Sequence, residues 1–235
     1  MGGSQPRINL ISLLRGAGLR VFLRKAMEQT WWTKLFFGLR CDLDSLPPIR
    51  RSKIEIAMKP WDSTTFRSFA EELKQVKGPD YVEVFLRQAL WEAGVQTLHV
   101  AVGPDGSPAY LQWLITPDKQ HLVHAHQPGR YPTLQSDEVL LEGAYTFCCY
   151  RRTGAMGDGM AQLLRIARAQ GARKAFTYVA ADNIPSLRGC ANVGFVLDHV
   201  RMNTRHLGLR SSIVLPADNQ ARHVWSVAVS SRRAA

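Results

Sequence analysis

The chain is poor in cysteine, and the few it has are not spaced as metal ligands or as a disulfide framework. Its 235 residues include Cys41, Cys148, Cys149 and Cys190, with no C-x-x-C pair among them. Small secreted domains held together by disulfides carry more cysteines at regular spacings. The cysteine usage therefore predicts a protein of a reducing cytoplasm.

Long uncharged apolar runs are also missing. A membrane-spanning helix needs about 20 such residues, but the early apolar segment is interrupted by Arg15, Arg20, Arg24 and Lys25. A secretory signal would keep its apolar stretch free of charge. We expect neither a transmembrane helix nor an export signal. Apolar residues still make up 46% of the chain, which is enough for a sizeable core.

Acidic residues are too few to balance the basic ones. Thirty Lys and Arg face 19 Asp and Glu, and the formal net charge is +11. The excess lies at the two ends, with +6 in residues 1–51 and +5 in residues 201–235. This indicates an anionic partner such as a phosphorylated cofactor, a membrane surface or nucleic acid, but general solubility explains it equally well. We predict no specific nucleic-acid partner.

Residues 9–29 have the pattern of a basic amphipathic helix, and Trp31, Trp32, Phe36 and Phe37 follow it. A basic helix with aromatic residues behind it can lie in a lipid interface, so peripheral membrane contact is one interpretation. Packing against the protein's own core or against a partner is the more common fate of such helices.

Pro47 and Pro48 predict a linker, because proline fits neither a helix interior nor a paired central strand. We therefore predict an N-terminal extension over residues 1–50 and one folded domain over residues 51–235. Periodicity and turn residues predict a mixed α/β order in that domain. The predicted elements are strand 54–58, helices 62–76 and 80–93, a hairpin of 97–102 and 109–116, strand 139–149, helix 157–170, strand 174–180, helix 186–192, and strands 195–202 and 223–229.

The segment from Glu142 to Phe195 carries the most informative pattern. Its basic, glycine-rich loop Arg151–Gly157 opens a predicted helix. Free N–H groups at a helix N-terminus attract an anion, two arginines add charge, and glycines let phosphate oxygens approach the backbone. The loop is therefore predicted to bind a pyrophosphate.

Two other kinds of phosphate-binding loop do not fit this segment. A P-loop requires Lys followed by Ser or Thr after its glycines, and that pair is absent. A dinucleotide-binding domain requires G-x-G-x-x-G, whereas the glycines here read G-x-x-G-x-G. Only 53 residues follow Asp182, the acidic residue near the expected offset, and they are too few for the remaining strands of such a domain.

The same segment resembles the GNAT superfamily of N-acyltransferases. The superfamily signature is Q/R-x-x-G-x-G/A at the start of a helix, then a strand, an Asn, and a short helix that ends in Gly-Phe. The residues that match it, in order, are Arg151 to Gly154, Asn183, Ser186-Leu187 and Gly194-Phe195. The resemblance is specific over residues 142–195 and does not extend to residues 1–50.

The resemblance implies an α/β fold with a mixed, mostly antiparallel sheet, splayed at its centre and flanked by helices. Acetyl-CoA or another acyl-CoA would be the co-substrate, with its pantetheine arm in the split, its pyrophosphate on the loop, and no metal. The residues assigned to the cofactor are Thr146, Phe147, Arg151, Arg152, Thr153, Gly154, Ala155, Met156, Gly157, Asn183 and Ser186.

The resemblance also implies a chemical role for Glu142, which matches a position where some members carry a catalytic carboxylate. That group takes a proton from the attacking amine, directly or through water, because an ammonium ion has no lone pair for attack. A structural ion pair is the alternative role. The implied activity is direct transfer of an acyl group to a primary amine. A catalytically silent CoA-binding or regulatory module and a membrane-associated long-chain N-acyltransferase are the alternatives.

Two positions depart from the superfamily signature. Met156 stands where Gly or Ala is preferred, so either the loop is reshaped or Gly157 takes that role. Cys190 stands where many members have a tyrosine that protonates the leaving thiolate; its thiol could donate that proton or simply fill the core. Tyrosines nearby in sequence that could replace it are Tyr145, Tyr150 and Tyr178.

His121, His124 and His126 do not have the pattern of a metal site, and we expect them on an exposed strand or loop or on the wall of an acceptor pocket. The acceptor pocket of this fold has no local signature. The small-molecule or peptide acceptor therefore stays open among a peptide N-terminus, a lysine, an aminosugar, a polyamine and an antibiotic. A homodimer is also possible from the sequence.

Overall fold

A computed structural model describes residues 31–61, 83, 87–88, 90–126, 129, 131–206 and 209–230. The amphipathic helix predicted over residues 9–29 and the helix predicted over residues 62–76 lie outside the described residues. The membrane contact of residues 9–29 therefore stays a prediction.

Eight strands and four helices have defined bounds in the described residues. The strands are β1 (Trp31–Asp42), β2 (Ala57–Pro60), β3 (Leu98–Val102), β4 (Pro108–Ile115), β5 (Glu138–Thr146), β6 (Lys174–Ala180), β7 (Val196–His206) and β8 (Leu209–Pro216). The helices are α1 (Gln120–His126), α2 (Ala155–Ala169), α3 (Ile184–Asn192) and α4 (Asn219–Ser230). Short 3₁₀ turns occupy Leu43–Ser45 and Cys148–Tyr150.

All eight strands form one sheet in the order β2-β3-β4-β5-β6-β1-β7-β8. Every neighbouring pair is antiparallel except β5 and β6, which run parallel at the centre. These two strands pair only from Glu138↔Lys174 to Leu141↔Thr177, and each continues beyond the last pair. The predicted α/β class, with a mixed, mostly antiparallel sheet splayed at its centre, is confirmed.

Strand β1 corrects the predicted boundary at residue 50. It pairs with β6 from Phe36 to Asp42 and with β7 from Trp31 to Arg40, so it lies inside the sheet. Phe37 is buried at 2% exposure and stacks edge-on against Trp225 of α4, which makes it a core residue and not a membrane anchor. Residues 31–42 therefore belong to the folded domain.

Separate apolar clusters cover the two faces of the sheet, because successive side chains of a strand point to opposite faces. One cluster joins the sheet to α2, α3 and α4; it includes Leu39, Leu141, Leu163, Leu187 and Phe195. The other lies on the opposite face and includes Trp91, Trp113, Val123, Leu140 and Tyr145. Helices therefore flank both sides of the sheet.

The C-terminal end differs from the prediction. Residues 223–229, predicted as a strand, belong to helix α4, which begins where the Asp218 side chain accepts a hydrogen bond from the Ala221 N–H at 2.7 Å. The last strand is instead β8, which pairs with β7 over eight positions. The strand predicted at 54–58 is likewise shifted to Ala57–Pro60. His124, expected on a strand or loop or on a pocket wall, lies on helix α1.

Candidate functional site

The split in the sheet opens where β5 and β6 stop pairing. Their last pair is Leu141↔Thr177, so Glu142 on β5 and Tyr178 on β6 are the first residues beyond it. Neighbouring positions in a parallel register point to the same face of a sheet. Glu142 and Tyr178 thus flank the base of the split, and the Tyr178 hydroxyl is bonded to His199 and Arg201 of β7.

A bulge in β5 lies directly after Glu142, where the split begins. Trp113 of β4 pairs with Glu142, but Leu111 pairs with Tyr145, so β5 has one residue more than β4 between these pairs. Gly143 has φ +67°, and a Cβ there would lie 2.8 Å from the Trp113 ring. Only glycine fits both the conformation and the space.

Arg87 holds this bulge from outside the strand, and the sequence patterns gave no sign of it. Its Nε donates to the Gly143 carbonyl at 2.8 Å and its Nη2 to the Ala144 carbonyl at 2.6 Å. Its guanidinium also lies 5.1 Å from the centre of the Tyr145 ring. Arg87 could not be recognised from the sequence, because its hydrogen bonds reach a bulge more than 50 residues later in the chain.

The charge of Glu142 acts on Tyr178 across the split. Burial raises the pKa of the Tyr178 hydroxyl, the Arg201 guanidinium lowers it, and the Asp198 and Glu142 carboxylates raise it further. Glu142 is itself half-buried on β5. The tyrosine is therefore a neutral phenol at neutral pH.

The loop predicted to bind pyrophosphate follows the end of β5. Arg151 donates from Nε to the Thr146 carbonyl at 3.2 Å, and its guanidinium lies 5.8 Å from the centre of the Tyr145 ring. Arg152 has φ +66° and Gly154 has φ +95°. Both left-handed residues turn the chain sharply into helix α2, and both arginines are exposed.

Helix α2 begins with N–H groups that have no acceptor inside the helix. Its first internal bond runs from the Asp158 N–H to the Gly154 carbonyl at 3.1 Å, so the N–H groups of residues 155–157 precede the regular ladder. The Ala155 N–H donates to the Thr153 hydroxyl at 3.3 Å. Those of Met156 and Gly157 lie at the positive end of the helix dipole, beside the exposed arginines.

Residues 51–53, at the predicted start of the folded domain, brace this loop. Asp158 is buried at 2% exposure, and its Oδ2 accepts from the Ser52 N–H at 2.8 Å. The Lys53 N–H donates to the Thr153 carbonyl at 2.8 Å, and Arg51 lies 3.6 Å from Asp158 Oδ1. The loop is thus tied to a segment about 100 residues earlier in sequence.

Met156 is accommodated by a glycine on the neighbouring helix. A Cβ on Gly189 of α3 would lie 2.8 Å from Met156 Cε and 3.0 Å from its Sδ. The methionine side chain therefore packs on α3 and contributes to the core. A Cβ on Gly157 would meet nothing within 4 Å, so open space at the start of α2 lies at Gly157.

Asn183 and Ser186 lie at the start of α3, close to the end of β6. Asn183 is the N-cap of this helix, and its Oδ1 accepts from the Ser186 N–H at 3.3 Å. This contact gives Asn183 a structural role, because it satisfies one of the free donors of the helix. Its contact with a cofactor stays a prediction.

Phe147 has both backbone groups bonded within the protein. Its N–H donates to the Ala109 carbonyl at 3.1 Å, and its carbonyl accepts from the Tyr150 N–H at 2.9 Å. These bonds continue the β4–β5 ladder and start the 3₁₀ turn at Cys148. The Thr146 carbonyl accepts from Arg151, so pantetheine contacts at these two residues stay predictions.

Cys190 lies inside the core, at 1% exposure. Burial, with a smaller effect from Cys41, raises the pKa of its thiol to about 12. A side chain so enclosed packs against its neighbours. The structure favours the packing role that the sequence offered beside the proton-donor role.

Comparison of the chain with family models finds no match, and no curated protein matches it significantly. Solved structures do match. A GCN5-related N-acetyltransferase from Sphaerobacter thermophilus is 14% identical with a TM-score of 0.50, and the match covers 84% of this chain and 57% of that one. The GCN5-related glucosamine N-acetyltransferase region of a fungal multi-domain β-N-acetylglucosaminidase is 14% identical with a TM-score of 0.52, and the match covers 79% and 23%.

This chain has the GNAT fold. It spans just over half of the Sphaerobacter protein and about a quarter of the fungal one. Within the described ranges, no three His, Cys, Asp or Glu side chains gather as metal ligands would. None of the helices in the described part of the chain combines the length and apolar character needed to cross a membrane.

Proposed function

We propose that this protein transfers an acyl group from an acyl-CoA, with acetyl-CoA as the first candidate, to a primary amine by direct attack. One observation carries the proposal. The central split of the GNAT fold opens at Glu142, and the strand that bears Glu142 leads directly into a basic loop and the N-terminus of α2. A thioester in the split and a pyrophosphate on the loop can then belong to one molecule.

The loop supplies positive charge and backbone donors for the diphosphate. Arg151 and Arg152 provide the charge, and the N–H groups of Met156 and Gly157 point from the start of α2. Gly157 leaves the space that phosphate oxygens require. The bracing of the loop by Asp158 and Ser52 fixes these groups before the ligand arrives, which lowers the entropic cost of binding.

Glu142 is the base in this proposal. Its position at the opening of the split brings its carboxylate beside the space where an amine would meet the thioester. The nitrogen must lose a proton before it can attack, and a positioned carboxylate contributes about 10²- to 10⁴-fold to such a step. No covalent enzyme intermediate is needed, because the amine attacks the acyl carbon itself.

Replacement of Glu142 by Gln tests the enzyme against the silent module. The variant keeps the shape of the side chain and removes the base, so we expect turnover to fall about 10²-fold or more while acetyl-CoA affinity stays within twofold. Release of the CoA thiol measures turnover, and calorimetry measures affinity. A matched control is Glu138→Gln on the same strand, whose carboxylate pairs with Lys174 away from the split and should leave turnover unchanged.

The amine panel for this assay follows the open acceptor classes. It contains a peptide with a free N-terminus, lysine, spermidine, glucosamine and an aminoglycoside. Glucosamine is included because one structure with this fold is named as a glucosamine N-acetyltransferase region. Acetyl-CoA binding without turnover on any amine would favour the silent CoA-binding module instead.

A further inference from the structure

A row of side chains beside the split connects β6, β1 and β7. Gly38 of β1 pairs with Tyr178 of β6 on one side and with His199 of β7 on the other. A Cβ on Gly38 would lie 2.3 Å from the His199 ring nitrogen Nε2. The missing side chain therefore lets the imidazole lie across β1 and reach the Tyr178 hydroxyl.

The hydrogen bonds of this row have a direction. Asp198 Oδ2 lies 2.9 Å from His199 Nδ1, and His199 Nε2 lies 3.2 Å from the Tyr178 hydroxyl. A carboxylate accepts, so Nδ1 carries the proton in the neutral ring and Nε2 is the acceptor. The Tyr178 O–H then donates to His199.

Arg201 completes the environment of the phenol oxygen. Its Nη2 donates to that oxygen at 3.0 Å, and its guanidinium lies 4.1 Å from the centre of the Tyr178 ring. Arg201 is buried at 4% exposure, so its charge acts through little solvent. A fixed positive charge beside the oxygen stabilises a phenolate if the proton moves to His199.

We infer that Tyr178 is a further catalytic residue of the split, and that it passes protons between the substrates and His199. Asp198 and Arg201 are positioning residues that hold the imidazole tautomer and the phenol oxygen. The inference rests on the proposed function, because it assigns the second proton transfer of the same reaction. Tyr178 follows the last β5–β6 pair on β6, level with Glu142 on β5, and the charge of Glu142 acts on its hydroxyl.

Two protons must leave an ammonium acceptor during acylation. Glu142 takes the first, directly or through water, and frees the lone pair. After the nitrogen–carbon bond forms, Tyr178 takes the second while its own proton moves to His199 Nε2. As the carbon–sulfur bond breaks, the proton returns from His199 to Tyr178, and Tyr178 gives its proton to the thiolate. The relay ends as it began, Glu142 loses the first proton to solvent, and no oxidant or reductant takes part.

Tyr178→Phe and His199→Gln test the relay in the full chain. The first keeps the ring and removes the hydroxyl; the second can still bond to Tyr178 but cannot take a proton. We expect each to lower kcat about 10²-fold with acetyl-CoA affinity within twofold. Gly38→Ala should cause a similar loss, because the new Cβ displaces the imidazole without removing any polar group. The control is His223→Gln on the exposed side of α4.

The form of the kcat–pH profile separates a proton acceptor from a purely structural residue. In this scheme both Glu142 and His199 must be unprotonated, so His199→Gln should alter the acid limb and leave only the contribution of Glu142. The ionisable groups bonded to His199 are Tyr178 from β6 and Asp198 from its own strand, and Arg40 of β1 is bound to Asp198 at 3.3 Å. Arg201 and Glu142 act on Tyr178. An unchanged acid limb in His199→Gln would overturn the role of His199.

Nitrogen-15 NMR of the imidazole gives a readout that needs no acceptor. In the wild-type protein we expect the His199 proton on Nδ1, and in Tyr178→Phe we expect the Nε2 resonance to move because it loses its donor. A proton on Nε2 in the wild-type protein, or an unchanged kcat in Tyr178→Phe, would overturn the inference while the proposed function stands. Absence of acetyl-CoA binding by the wild-type protein would remove the proposed function, and the inference with it.

Discussion

The thiol side chains show how burial decides chemistry at single residues. Cys41 and Cys190 are each about 1% exposed, and burial is the main cause that raises their pKa values to about 11 and about 12. A thiolate is the reactive form of cysteine, so both residues are chemically quiet at neutral pH. Cys148 and Cys149 are exposed on a 3₁₀ turn.

Two classes of thiol should therefore appear in a chromogenic thiol assay at pH 8. We expect Cys148 and Cys149 to react in the native protein, and Cys41 and Cys190 only after unfolding, because a buried thiol is neither ionised nor accessible. Peptide mapping assigns the labelled residues. Fast labelling of Cys190 in the native protein would contradict its packing role and restore it as a candidate proton donor.

Several important residues can be located in the sequence, but their contacts cannot be predicted from it. Glu142 was predicted as the catalytic carboxylate; it lies where β5 and β6 stop pairing, and its role stays a prediction. Gly189 carried no signal, although it makes room for Met156. Asp158 and Arg87 were also missed, because each owes its importance to a partner far away in sequence.

Two glycines at the start of helix α2 have different roles: we expect Gly157 to matter for cofactor binding and Gly154 for stability. Gly157→Ala should stabilise the ligand-free protein by up to about 1 kcal/mol, because alanine is a better helix former and its Cβ meets nothing. The same methyl group fills the predicted phosphate space, so acetyl-CoA affinity should fall about tenfold. Thermal unfolding and calorimetry measure the two effects.

Gly154→Ala is the matched comparison. Its φ of +95° and a Cβ contact of 3.3 Å with Ser52 Cα predict a lower melting temperature. A Gly157→Ala protein that binds acetyl-CoA as tightly as the wild type would contradict the assignment of Gly157 to the pyrophosphate site.

Elements with strong local signals were predicted well. Strand β6 has the predicted bounds, and helix α2 ends as expected near Gly171, which has φ +96°. The hairpin of β3 and β4 is also confirmed. Helix α4 was predicted as a strand because its valines favour strands, whereas its N-terminal Asp218 was overlooked. The described side chains of strand β8 are all exposed. Its sequence does not show the alternation of apolar and polar residues that indicates a half-buried strand.

The whole molecule depends on β1, which joins the two parts of the sheet. Leu39→Ala should lower the free energy of unfolding by about 2–5 kcal/mol, because Leu39 is 0% exposed in the core between β6 and β7. Leu35→Ala on the same strand is the matched control. Leu35 is 46% exposed, so its replacement should cost about 0.5 kcal/mol or less. Urea unfolding measures both, and equal effects would contradict the central position of β1.

No local pattern could have placed β1 in the sheet. Its partners β6 and β7 lie more than 130 residues later in the chain, and aromatic and basic residues alternate through it in a way that also suits a membrane surface. This position changes the design of a membrane-binding test. A deletion that examines the N-terminal segment must end at residue 30, because a longer one would remove a central strand.

Calorimetric titration with acetyl-CoA shows whether the loop between β5 and α2 binds the cofactor. We expect wild-type binding in the micromolar range, about 8 kcal/mol, and loss of binding when Arg151 and Arg152 are both changed to Ala. The control changes Arg168 and Arg173 to Ala, which removes the same charge at the other end of α2 and should leave binding intact. No wild-type binding to acetyl-CoA or to longer acyl-CoAs would contradict the account.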